Sequence, residues 1–351
     1  MLFARKRYLL PPVLTLTLFS VLSAASPAQT APSAPFKIQD TWKLGGDGSW
    51  DYLKVDEPAH LLYIARLNRI MVVDTQSGKL VTEIGGLQRT HGVALDDKGQ
   101  IGYISDGGAG SVLAFDRSTF KVTATIPAGK NPDAILFEPT QHRVFAFNGG
   151  SKDATVIDTS SNKVIATIPM PGKPEFSATD GKGNVFVNIE DTNQLLHIDA
   201  ATLKVTGTWS LAPCKEPSGL AIDIEHHRLF SVCDNAKMTV VDSQSGKMVA
   251  TATIGEGADA VAYDSRRGLV LSSNGESGNL TILHQDSPDH YTVQQTLTTL
   301  AGARTLAVNT TTGKIYTVTA KIGPKPAPTK EIPNPRPPIL PNSFVILVIG
   351  R

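Results

Sequence analysis

The chain has 351 residues, with 33 Lys+Arg against 32 Asp+Glu and a formal net charge of +1. That balance excludes the long-range field by which a protein captures nucleic acid or an anionic membrane. The length allows a large buried core, since a globular chain of about 300 residues buries roughly 75% of the surface its unfolded form exposes.

The N-terminus reads as a targeting segment, with a secretory signal peptide expected over residues 1–28. Arg5, Lys6 and Arg7 form a basic region, Val13 to Ala25 a short apolar run, and small residues allow cleavage after Ala25 or Ala28. The run is too short for a comfortable membrane span, so export to the periplasm or medium is expected, with no transmembrane span in the mature protein. No cysteine near the cleavage site offers a lipid attachment point. Removing Arg5, Lys6 and Arg7 takes the charge to −2, which speaks against nucleic acid as a partner.

Beyond the leader the sequence repeats. An apolar pair meets an aspartate at Asp74, Asp116, Asp158, Asp199 and Asp242, at spacings of 42, 42, 41 and 43 residues, and His284 continues the series. Such a period marks propellers, solenoids or arrays. Each unit reads as four short β-branched strands, A to D, separated by turn clusters, with no long helical period. Unit two gives A at His91–Leu95, B at Ile101–Ser105, C at Ser111–Phe115 and D at Lys121–Ile126. Units begin at Asp51, His91, Asp133, Glu175, Ser218, Asp259 and Arg304. The prediction is an all-β, seven-bladed β-propeller over 36–351. The seventh unit lacks strand D, and Ile38–Gly46 resembles the D strands elsewhere. It is expected to complete blade seven and close the ring, leaving no open sheet edge.

The run from Phe145 to Asn148, followed by Thr155 to Pro169, resembles the bacterial YVTN repeat. That family forms seven-bladed propellers, often periplasmic or surface proteins similar to YncE. The resemblance covers the whole mature chain and implies a fold rather than an activity. Blade six departs from the pattern, with His284 in place of the aspartate and a longer C–D connection expected.

The repeated aspartates read as turn formers rather than a carboxylate site, since each opens a tight C–D turn in which its side chain bonds the backbone. Gly78, Asn162 and Gly246 suit the left-handed position of those turns. Phe120 and Leu203 stand at the same place elsewhere, so those two turns are expected to differ. His60, His142, His226 and His227 fall in or beside A–B turns, His197 inside a C strand and His290 in the blade-six connection.

Chemistry is expected on the opposite, top face, where the D–A and B–C loops meet the channel mouth. The first strand-A residue of each blade gives a polar ring of Asp51, His91, Asp133, Glu175, Ser218, Asp259 and Arg304. The B–C loops add a second tier at Arg66, Asp106, Asn148, Glu190, Asp234 and Asn274. Of these, Arg66, Asn148 and Asn274 join the ring as ligand-binding candidates. Asp133 and Glu175 are candidate ligands of a divalent cation, since carboxylates favour Ca²⁺, Mg²⁺ or Mn²⁺. Cys214 precedes strand A of blade five and Cys233 ends its strand B. Both sites are on the top face, so a disulfide is expected, closing a loop of about 20 residues.

Blade seven also carries a 23-residue insertion, Ala320–Asn342, with eight prolines. It favours extended polyproline II over helix or sheet. Lys321, Lys325, Lys330 and Arg336 face one acid, Glu331. Topology makes the arm a top-face loop, a lid over the acidic ring or a surface for a partner.

No haem, zincin, Walker or nucleophile-elbow motif is present. The expected function is a binding or scaffold protein of the cell envelope, a monomer that takes a small molecule or protein on its top face. The alternative is a metal-assisted, lactonase-like hydrolase at the channel mouth. There Glu175 or Asp133 serves as metal ligand or base, His91 moves protons, and Arg304 steadies an anionic substrate.

Overall fold

The computed structural model describes residues 1–10, 34–330, 333, 335 and 337–351. The apolar run Val13–Ala25, both cleavage points, and Glu331 and Arg336 of the arm lie outside the described residues. Residues 1–10 carry no regular secondary structure and are exposed. The compact unit spans Pro35–Arg351.

That unit is a seven-bladed propeller of four-stranded antiparallel sheets. A single strand, β1 (Lys37–Lys43), precedes blade one, which holds β2 (Leu53–Asp56), β3 (Leu61–Arg66), β4 (Arg69–Asp74) and β5 (Leu80–Ile84). Blade two holds β6 (Thr90–Leu95), β7 (Ile101–Asp106), β8 (Ser111–Asp116) and β9 (Val122–Pro127). Blade three holds β10 (Pro132–Glu138), β11 (Arg143–Asn148), β12 (Asp153–Asp158) and β13 (Lys163–Pro169). Blade four holds β14 (Pro174–Thr179), β15 (Asn184–Ile189), β16 (Gln194–Asp199) and β17 (Lys204–Ser210). Blade five holds β18 (Pro217–Asp223), β19 (Arg228–Cys233), β20 (Lys237–Asp242) and β21 (Met248–Thr253). Blade six holds β22 (Ala258–Asp264), β23 (Leu269–Asn274), β24 (Asn279–Ser287) and β25 (His290–Thr298). Blade seven holds β26 (Leu306–Asn309), β27 (Lys314–Thr319) and β28 (Val345–Gly350), and β1 is its fourth strand.

The core lies between blades rather than within them. Side chains alternate across each strand, so one blade feeds two interfaces. In β3, Leu62 and Ile64 pack with Tyr316, Val318 and Ile346 of blade seven, while Tyr63 and Ala65 pack with Val93, Ile104 and Phe115 of blade two. Both faces are therefore dry, and the middle strands read as continuous apolar runs.

Closure joins Lys37–Lys43 to Val345–Gly350 in antiparallel register. Arg66 fastens the seam. Its guanidinium is fully buried, lies 3.6 Å from the centre of the Phe344 ring, and donates to the carbonyls of Ser49 at 3.2 Å and Asp47 at 3.1 Å. Burial depresses its pKa to about 10, with the nearby Arg69 adding to the effect.

On the bottom face each repeated aspartate caps its own turn, as Asp74 does by accepting from the Ser77 amide at 2.6 Å. Phe120 and Leu203 overturn one expectation: their turns do not differ. Both residues take the left-handed conformation, at φ 59° and 58°, like Asn162 at 54°. The amides of Phe120 and Leu203 bond to the carbonyls of Asp116 and Asp199 at 2.7 and 2.8 Å, and both side chains pack against the inter-blade core. Those contacts offset a conformational cost of about 1–2 kcal/mol. Blade six corrects another expectation. Its extra residues lengthen the C and D strands to nine residues each, Ser287 pairs with His290, and His290 begins β25 instead of lying in a long connection.

Replacing Arg66 by methionine keeps the apolar stem and strands the carbonyls. It is expected to destabilise the ring by about 3 kcal/mol, since each buried polar group left unpaired costs about 1–3 kcal/mol. Urea unfolding followed by tryptophan fluorescence reads the effect, and an unchanged midpoint removes the clamp from the account.

Candidate functional site

The strand-A ring is built by a repeated irregularity. In five blades the A–B register slips where the ring residue stands: between Thr90 and Val93, Pro132 and Ile135, Pro174 and Ser177, Pro217 and Leu220, and Ala258 and Ala260. A bulge of this kind re-aims a side chain and interrupts ladder pairing. Polar residues of strand B fill the gaps. Ser105 donates to the carbonyl of Asp133 at 2.6 Å, Asn188 to that of Ser218 at 2.9 Å, and Ser273 to that of Arg304. Each of these bonds reaches the ring residue of the next blade, so neighbouring blades fix one another's site residues.

The ring carries its own counter-charges. His91 Nδ1 lies 2.6 Å from Asp51 Oδ2 and 3.3 Å from Asp133 Oδ1. Arg304 Nε lies 2.8 Å from Asp259 Oδ2, and its Nη2 lies 3.7 Å from Asp51 Oδ1. Ser218 donates to Asp259 at 2.8 Å. Lys173 Nζ is 3.0 Å from Glu175 Oε2 and pairs also with Glu190, while the Tyr52 hydroxyl donates to Glu175 Oε1 at 3.2 Å.

Burial sets the titration of these groups. Asp133 rises to about 6, through desolvation and the charge of Asp51, against the opposing pull of His91. Glu175 is pushed well above the usual carboxylate range by burial and then by Asp133. Asp259 also rises through burial, against Arg304. Burial works against protonated His91, but the bond to Asp51 and the charge of Asp133 outweigh it and raise its pKa.

Among the described residues, donor atoms of Asp51, His91 and Asp133 converge to within 4.8 Å of one another, a spacing that can hold a metal ion. Glu175 stands outside that group and faces Lys173 instead. The Nε2 of His91 is buried with no partner.

Second-tier residues divide into scaffold and rim. Arg66 is held by the seam. Asn148 is fully buried and donates to Asp153 and Thr155 at 2.6 and 2.9 Å; Asn274 is fully buried and donates to Asn279 and Thr281 at 2.7 and 2.9 Å. These three side chains face the protein interior instead of a ligand. Asp106 holds the Gln88 and Arg89 amides. Glu190 and Asp234 line a top-face cleft of about 600 Å³ with Glu175, Glu216, Asp259, Glu276 and Arg304. Cys214 and Cys233 are disulfide-bonded with Cα atoms 5.5 Å apart, Cys214 two residues before Glu216 and Cys233 next to Asp234 in the chain.

The proline-rich arm borders the same cleft through Ile322 and Pro337. Its base is not polyproline II. Ile322 and Ile339 form an antiparallel bridge, with the Gly323 amide bonded to the Pro338 carbonyl and the Leu340 amide to the Lys321 carbonyl, each at 2.8 Å. Glycine at 323 and the free amide of Leu340 supply the donors that the prolines lack.

Lys173, Tyr52, Glu216 and Glu276 belong to the site but not to the strand-A register. A signal for two of them lies in the D–A loops, where Lys173-Pro174-Glu175 and Glu216-Pro217-Ser218 set a charge just before the proline that opens strand A.

The sequence matches no protein-family model and no curated protein. Solved structures share the fold. The WD40 repeats of RRP9 superpose with a TM-score of 0.74 at 11% identity, covering 92% of this chain and 99% of that one. A chain of a mitotic checkpoint complex gives 0.72 at 13% identity, over 93% and 99%. A chain of Kuenenia stuttgartiensis hydrazine synthase gives 0.66 at 16% identity, over 76% and 91%. At these identities the likeness establishes the seven-bladed fold alone.

The ring makes stability depend on pH in a definite direction. A raised His91 contributes stability that is full below its unfolded value of about 6.5 and is lost as pH rises through the folded value. Asp133, raised to about 6, likewise binds its proton more tightly when folded, so its contribution falls as pH rises from about 4 to 6. His197, lowered by burial, has the opposite sign as pH falls below about 6.5. The thermal midpoint is expected to fall from pH 5 to 8 more steeply in the native protein than in Asp133→Asn. The His91 ring is expected to titrate above the ordinary histidine value by NMR; titration at or below it contradicts the assignment.

Proposed function

We propose that this protein is an exported, YncE-like binding propeller of the YVTN-repeat kind, which takes a small cationic ligand in its top-face cleft. One observation carries the reading. The inner acids Asp51, Asp133, Glu175 and Asp259 are paired with His91, Lys173 and Arg304, whereas among the described residues no ion pair joins Glu216, Asp234 or Glu276 on the exposed rim to a cation. The cleft thus has a neutralised floor and an uncompensated acidic rim, which attracts an amine or guanidinium. Export is supported by the leader pattern and by the Cys214–Cys233 bond, which suits an oxidising compartment. Fractionation of cells expressing the full chain, with and without residues 1–28, tests it.

A second reading, metal-assisted hydrolysis, rests on the Asp51, His91 and Asp133 donors. It has to displace the proton that the two carboxylates hold on His91 and tolerate the Arg304 guanidinium beside Asp51. Elemental analysis of the purified protein separates the two readings: one tightly held divalent ion, lost in His91→Ala, favours the hydrolase.

For the first reading, calorimetry with spermidine as probe is expected to show saturable binding at low salt that weakens as salt rises. Glu216→Gln with Glu276→Gln is expected to weaken it by about tenfold, given about 1 kcal/mol at most for each exposed pair. Replacing residues 324–337 by Asn-Gly is expected to change spermidine affinity with little change in thermal midpoint, because the Ile322–Ile339 bridge still closes. No saturable binding, or affinity untouched by the double substitution, contradicts the reading. Unfolding on arm removal makes the arm structural.

A further inference from the structure

The central channel forms a compartment of its own, different in chemistry from the cleft above it. A cavity of about 360 Å³ runs between the inner strands, lined by Ile135, Phe137, Phe176, Ala221 and Tyr263. Its upper end is barred. Tyr52 of blade one meets Phe176 of blade four edge-on, with ring centres 4.6 Å apart. Those blades stand three steps apart in a ring of seven, so a contact this close spans the axis. The Tyr52 hydroxyl is bonded upward to Glu175, which holds the bar in place.

Lys54 lies two residues beyond Tyr52 on β2, hence on the same face of the strand. It lines both the channel and a wider bowl of about 880 Å³ on the bottom face, which places it at the throat between them. Asp56, Asp96 and Glu57 near it are already engaged, and Asp97 also lines the bowl. Asp56 is paired with Arg117, which also holds Asp96 at 3.1 Å. Glu57 accepts from the amides and hydroxyls of Thr310 and Thr311. Among the described residues the Lys54 ammonium has no hydrogen bond or ion pair. Lys54 is exposed to the bowl, and partial desolvation by the protein around it, with the charge of Arg117, lowers its pKa against the pull of Asp56. A channel whose side chains are mostly apolar and aromatic, with Ser177 and Thr179 among them and the Lys54 ammonium at its throat, fits an apolar anion.

We propose that the channel binds a small aliphatic or aromatic carboxylate, with the carboxylate on Lys54 and the apolar body against Phe137, Phe176 and Tyr263. The cavity displaces about a dozen waters at about 30 Å³ each, which sets a ligand of about ten non-hydrogen atoms. Dispersion and desolvation hold the body, and the charge fixes its direction.

Octanoate is a suitable probe, with octanol and octylamine as neutral and cationic counterparts. Calorimetry on the mature protein is expected to show saturable octanoate binding and much weaker octylamine binding. Lys54→Met is expected to weaken octanoate by about tenfold or more, as loss of a charge-assisted contact implies, and to leave octanol nearly unchanged. Ala221→Phe fills the channel and is expected to abolish both. Glu216→Gln with Glu276→Gln leaves octanoate binding unaltered, so failure of the cleft reading and failure of this one are told apart. If Lys54→Met does not fold, the Lys54 Cε resonance of the native protein replaces it as the readout, and it shifts on octanoate addition. Absence of saturable octanoate binding, equal binding of octylamine, an affinity unchanged in Lys54→Met, or an unshifted Lys54 resonance each overturns the proposal.

Discussion

Blade seven has only three strands from the C-terminal part of the chain, and pairing of β1 with β28 supplies the fourth. The other six blades form from consecutive strands, but the ring exists only when this contact between the two ends of the propeller is made. It completes the interface where Trp50, Leu62 and Met71 meet Tyr316, Phe344 and Ile346. The site depends on the same seam. Arg304 of blade seven donates to the carbonyl of Trp50 at 3.0 Å, and Thr305 to that of Asp51 at 3.0 Å. Opening the seam would separate Arg304 from Asp51 and unbalance the charges around the channel mouth.

Charge pairing then divides the top face into two zones. Inside the ring, desolvation makes each unpaired carboxylate costly, and His91, Arg304 and Lys173 offset that cost. On the rim, water does the same work, so Glu216, Asp234 and Glu276 stay exposed with no ion-pair partner among the described residues. Beneath the Tyr52–Phe176 bar Ile135, Phe137, Phe176 and Ala221 line the walls, and Lys54 at the throat has no ion pair among the described residues. One repeated scaffold thus offers two environments of opposite preference along one axis, separated by one pair of aromatic rings.

The repeat made much of this visible in the sequence. The 42-residue spacing located the seven blades, and the likeness of Ile38–Gly46 to the D strands located the closing strand, because both depend on local pattern; the A strands themselves begin one or two residues away from the expected positions. What stayed hidden depends on contacts between distant segments. The repeat pattern places Arg66 in a B–C loop facing the top, but it is the last residue of β3 and its guanidinium turns inward to the carbonyls of Asp47 and Ser49 beside the seam. Asn148 and Asn274 are buried for a related reason, since strand C supplies Thr155 and Thr281 as their acceptors. Phe120 and Leu203 carry no turn signature, and packing at the interface with the preceding blade makes their left-handed backbone tolerable. Lys173 and Lys54 are single cations whose meaning lies in which acids around them are already taken.

The central claim is that the acidic rim of the top cleft, beside the proline-rich arm, is where ligand binds. Its most direct test is an NMR titration of the mature protein with spermidine, following assigned amide and methyl resonances. The account predicts shifts confined to Glu216, Asp234, Glu276, Ile322 and their neighbours, saturating together. Shifts centred on the bottom face around Asp56 and Arg117, or spread evenly over the outer strands, would contradict it.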